Sequence, residues 1–143
     1  MNGRDLLFTL KEECFKIGHF NNIKEKYKIF QESLVDFNIT NHFFQTIKNT
    51  SGTSTFELCF LDSQFIHGIS ISPESSAHSI VDISSISKLI IETDSETGKF
   101  DFNIYGNSDG IILFYSFDQS RFEEINTFKN ELLKIILARS IKI

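Results

Sequence analysis

The sequence predicts an α+β domain in which helices come first, antiparallel strands follow, and one long helix closes the chain. Three features of the 143 residues point there. Apolar residues recur at helical spacing as far as Thr50-Ser51-Gly52-Thr53-Ser54, and at every second residue beyond it. Short polar turns, not helices, join the alternating runs. Ser120-Arg121-Phe122-Glu123 then has the S-x-x-E form of a capping box and opens the best helical stripe in the chain.

The elements follow in order. Leu7, Leu10, Cys14 and Ile17 make one helical stripe, and Ile23, Tyr27, Phe30 and Leu34 a second. Gly18, Asn21 and Asn22 break them apart, and Asn22 with Glu25 resembles a helix start. Phe43, Phe44 and Ile47 predict a third, short helix over Thr40–Lys48, so residues 1–50 read as a helical preface. Beyond Gly52, Phe56-Leu58-Phe60 and Phe65-His67-Ile69-Ile71 alternate as strands, and Pro73-Glu74-Ser75-Ser76 is a turn. Ile80-Val81-Asp82-Ile83 and Leu89-Ile90-Ile91 predict two short strands, and Thr93–Gly98 a polar loop. Phe100, Phe102 and Ile104 alternate with Asp101 and Asn103, and Gly106–Gly110 is a hairpin connection. Ile111–Phe117 is apolar on both faces, which predicts a central strand or one covered by helices. The closing helix carries Phe122, Ile125, Phe128, Leu132, Ile135 and Ile136 on one stripe and runs to Arg139.

Length and composition bound the rest. A chain of this size suits a single domain over residues 1–143, and 16 Phe with no Trp promise an aromatic core. One Pro and seven Gly exclude collagen-like and linker architectures, and no apolar run approaches a membrane span. The start, Met1-Asn2-Gly3-Arg4-Asp5, lacks a secretion leader, so a cytoplasmic protein is the expectation. Cys14 and Cys59 have no C-x-x-C spacing and read as small buried hydrophobes.

From about Phe56 to Leu137 the layout resembles the bacterial pleckstrin-homology-like (PH-like) domains. The likeness is carried by Ile80-Val81-Asp82-Ile83-Ser84-Ser85-Ile86, similar to the family's I-x-D-I-x-x-I strand. Leu89-Ile90-Ile91-Glu92, Phe100-Asp101-Phe102, Ile111–Phe117 and the capped helix follow it. The resemblance implies a curved antiparallel sheet or partial barrel of six to seven strands over residues 53–139, plugged by the C-terminal helix. It supplies no catalytic signature. The family's lipid site relies on basic residues near the first two strands, and residues 53–72 contain no Lys or Arg, so a phosphoinositide site is not carried over.

Charge is unevenly spread. The net charge is -5, yet residues 49–120 hold ten acids against Lys88 and Lys99 alone. That middle span would repel a polyphosphate, so no nucleic-acid partner is expected. His19, His42, His67 and His78 show no metal-ligand spacing, Asp94 and Glu96 lie in a polar hairpin, and the calcium-loop pattern is absent. The G-x-S-x-G elbow and both glycine-rich nucleotide loops are absent too. The expectation is therefore no catalytic, cofactor-binding or metal site and no enzymatic activity. The leading reading is a binding module that recognises a protein partner through a sheet edge or the groove beside the C-terminal helix. The alternative is a small acidic antagonist, an immunity protein or secretion chaperone, engaging a basic partner. The helical preface permits a dimer without demanding one.

Overall fold

A computed structural model describes residues 39–48, 50, 52, 54–72, 75–107 and 110–141, together with Asp5, Phe8 and Glu12. Seven strands form two antiparallel sheets. The first has the order β1 (Asn41–Lys48), β2 (Ser54–Leu61), β3 (Phe65–Ile71), β4 (Ser76–Asp82). The second has the order β5 (Ile86–Asp94), β6 (Lys99–Gly106), β7 (Ile111–Asp118), and the C-terminal helix Phe122–Ile141 follows it. The chain divides into two compact units, Met1–Ile80 and Val81–Ile143.

Two expectations are corrected here. The curved single sheet or partial barrel gives way to two open sheets, and the described residues are mostly strand. The stripes Leu7, Leu10, Cys14, Ile17 and Ile23, Tyr27, Phe30, Leu34 lie outside the described residues; Asp5, Phe8 and Glu12, which are described, are helical. The segment Thr40–Lys48 is no helix: its last eight residues are β1. Phe43, Phe44 and Ile47 fit either period, but Thr and Phe favour a pleated strand and pairing with β2 decides the outcome. Phe43 stands opposite Cys59, and Gln45 opposite Glu57, to whose Oε1 it donates at 2.8 Å.

In the first unit, Phe56, Leu58, Cys59, Phe60 and Leu61 of β2 and Ile66, Ile69 and Ile71 of β3 are buried. Burial of successive residues means that both faces of this strand pair are covered. Cys59 is buried, paired across the ladder with Gly68. The β2–β3 hairpin is tightened by Asp62, whose Oδ1 accepts from the Gln64 and Phe65 amides, each at 2.7 Å. Asx-type capping of this sort supplies the turn its backbone partners.

In the second unit, Phe100, Phe102 and Ile104 of β6 and Tyr115 and Phe117 of β7 share one face, and Ile125, Phe128 and Leu132 of the helix are buried. Phe128 meets Phe102 edge-on at 6.3 Å and Phe122 meets Phe100 edge-on at 5.3 Å, so this inner face is the one the helix covers. The expected short strand ending at Ile83 stops at Asp82, because Ile83–Ser85 is a 3-10 turn. Asp82 caps that turn through the Ser84 amide and also holds Arg139 of the helix at 3.1 Å. The helix itself is entered through a 3-10 turn, Gln119–Arg121, capped by Asp118 and not by Ser120. Ser120 instead donates to Asp118 Oδ2 at 3.2 Å.

Candidate functional site

The strand expected to be central or covered by helices stands at a sheet edge. β7 pairs only with β6 among the described residues. Ile111 is 54% exposed and Phe114 52%. Of the other edge strands, β5 carries charge within its length, at Lys88 and Glu92, whereas β1 and β4 carry it only at their last residues, Lys48 and Asp82. Charged side chains on an edge discourage other strands from adding to it. β7 has none from Ile111 to Phe117, its only charged residue being Asp118 at the end. An uncharged, apolar, half-exposed edge is a template for strand addition.

Register defines what lies beside that edge on the outer face, opposite the helix. Three cross-strand rows run toward β7: Glu92–Asp101–Ser116, Ile90–Asn103–Phe114 and Lys88–Tyr105–Ile111. In the last, Lys88 Nζ sits 4.5 Å from the centre of the Tyr105 ring. β7 carries one extra residue here, and the ring-side space that Ile112 occupies exists because Gly106 has no Cβ. A Cβ there would lie 2.7 Å from Ile112 Cδ1. In the middle row Asn103 is 5% exposed, and its Oδ1 has no hydrogen-bond partner. An orphaned buried acceptor costs about 1–3 kcal/mol. In the first row two carboxylates stand directly opposite one another, an arrangement that destabilises a sheet. Neither makes an ion pair among the described residues. A cleft of about 360 Å³ opens beside them, lined by Glu92, Asp94, Lys99, Asp101 and Ser116 among others.

The groove beside the helix, the other surface expected from sequence, is smaller. About 240 Å³ lies between Ile83, Ser84, Ile86, Ile136 and Arg139, whose guanidinium is already tied to Asp82. Leu133 and Leu137 are exposed on the helix.

One polar cluster was invisible to spacing rules. His67 of β3 and His78 of β4 are eleven residues apart, yet sheet pairing sets His67 Nδ1 3.1 Å from His78 Nε2. The other ring nitrogen of His67 meets Asp62 Oδ2 at 3.0 Å. A carboxylate only accepts, so His67 Nε2–H donates to Asp62, and in the neutral chain His78 Nε2–H donates to His67 Nδ1. The ring centres are 5.4 Å apart, about the nitrogen separation plus one ring radius at each end. The two nitrogens therefore meet head-on, as a hydrogen bond requires, and not at the bent angle of two ligands on one metal. His67 is fully buried and stacks on Phe60 at 4.2 Å. Burial holds both imidazoles below their usual range; Asp62 opposes this at His67, and the neighbouring ring reinforces it at His78. A reactant cannot reach the His67 ring without opening the sheet, so the network serves the fold.

Of the remaining histidines, His42 lies in β1 with its ring 6.4 Å from that of Phe44, and His19 is outside the described residues. Asp94 and Glu96 sit in the exposed β5–β6 turn, where Asp94 accepts from the Glu96 amide at 2.9 Å. Among the described residues no three His, Cys, Asp or Glu side chains converge as a metal site, and no helix is long and apolar enough to cross a membrane. No protein-family model matches the chain, and no curated protein matches it significantly.

Proposed function

We propose that the protein is a non-enzymatic module that binds another protein by accepting an extended segment along β7. It is akin to the bacterial PH-like domains in its order of seven strands followed by one helix. The observation that carries this reading is the mismatch on β7: a strand with the composition of a sheet interior stands at a sheet edge, with Ile111 and Phe114 about half exposed. Natural sheets protect such edges with charge, Pro or bulges along their length. β7 has a bulge only at its start, beside Ile111. Backbone pairing would supply affinity and alternate side chains specificity.

Selection from a library of random displayed peptides tests this against the wild-type chain and Phe114→Lys. Sequences enriched by the wild type and lost on the variant, at equal thermal stability of the two proteins, support strand addition at β7. No enrichment, or equal retention by both, overturns it.

A further inference from the structure

The strand-addition reading leaves the partner's chemistry open, and the outer face beside β7 narrows it. A strand lying along β7 sets its own outer-face side chains beside Ser116 and Phe114, with about 4.5–5.5 Å between facing Cβ atoms. Beside Ser116 the row continues into Asp101 and Glu92, two carboxylates facing each other with no cation paired to either among the described residues. Ser116 of β7 lines one cleft with both carboxylates and Lys99, and Asp101, one strand in from β7, is within reach of a long side chain laid over Ser116. One row along, Phe114 offers an exposed ring, and Asn103 holds a buried, unpartnered carbonyl oxygen next to it.

We propose that the partner is a protein segment that adds to β7 as an extended strand, places a Lys or Arg beside Ser116 with its cation reaching over Ser116 toward Asp101 in the field of Glu92, and sets an apolar side chain against Phe114. The proposal rests on the strand-addition reading and adds the sign of the charge. A cation there converts a repulsive row into an attractive one, which raises both association rate and selectivity. A second copy of the chain is a poor occupant, because Ile111–Asp118 brings no Lys or Arg to the row.

The test uses the full chain and three soluble peptides on one Thr/Val frame, differing only in two alternate positions that carry Lys, Gln or Glu. Fluorescence anisotropy gives affinities at low salt, and amide exchange shows whether β7 is protected. The Lys peptide is expected to bind about tenfold or more tighter than the Glu peptide. In Glu92→Gln/Asp101→Asn the two should come within about twofold, since the field that separates them is gone. Phe114→Lys should weaken all three. Two neutralised carboxylates leave an exposed, better-matched row, so this variant is expected to fold, and circular dichroism checks it.

Equal binding of all three peptides, with β7 protected, overturns the cation site while strand addition stands. Failure of every peptide to protect β7 removes strand addition and this proposal with it. Sedimentation as a dimer that Phe114→Lys dissociates would also overturn the proposal, assigning the edge to a second copy.

Discussion

Asp62 divides its two oxygens between two tasks, and that division governs the residue-level behaviour of the first sheet. Oδ1 closes the β2–β3 turn and Oδ2 fixes the tautomer of His67. Asp62→Ala should therefore cost about 2–4 kcal/mol in urea unfolding, since it strands a buried ring N–H and opens the turn. Asp62→Asn keeps the turn acceptor and should cost distinctly less. The two histidines set the pH response. Both fold with imidazoles below the ordinary range, so the unfolded chain binds protons more readily. Stability is full above about pH 6.5 and falls as pH drops below it, with a limiting slope of about 1.4 kcal/mol per pH unit for each ring. Urea midpoints between pH 8 and 5 should show that fall, and His78→Gln should flatten it. Sequence gave no hint of this network, because strand pairing, not chain spacing, brings Asp62, His67 and His78 together.

At the scale of the element, alternation placed β2, β3 and β6 correctly, because each has a face rich in Phe and Ile that must be buried. It failed where two periods fit the same residues, as in Asn41–Lys48, and at helix entry, where Asp118 outcompetes Ser120 for the cap. It failed most usefully at β7. Apolar residues on both faces ordinarily mean a strand covered on both faces, as a central strand or one under helices is. Here one edge has no partner among the described residues, and conflict between a local pattern and its place in the fold is commonest at functional sites. Two substitutions separate core from edge within this unit. Phe128→Ala removes a ring buried against Phe102 and should cost about 3–5 kcal/mol. Phe114→Lys should change stability by less than about 0.5 kcal/mol, which is why it serves as a binding variant. Thermal melts of the two decide the point.

For the whole molecule, the uneven charge seen in the sequence has a concrete location. Four of the ten acids of the middle span, with both its lysines, fall in β5, β6 and the turn between them, where Glu92 faces Asp101 and Glu96 is exposed. Screening should relieve this repulsion. The melting temperature is expected to rise as sodium chloride increases from about 0.05 to 0.5 M, and Glu92→Gln should reduce the rise. A melting point that falls or stays level with salt would show that these charges are already compensated. The expected repulsion of polyphosphates by this region and the proposed preference for a cationic segment are two readings of the same field.

The chain has no tryptophan, and two of its three tyrosines sit in the second sheet, Tyr105 under Lys88 on the outer face and Tyr115 buried in β7. Its intrinsic ultraviolet emission is therefore weighted toward the very strands where a new neighbour would dock. Unlabelled protein carries its own optical reporter, and a tryptophan-free peptide laid against β7 should alter that signal without a dye, a tag or an engineered probe.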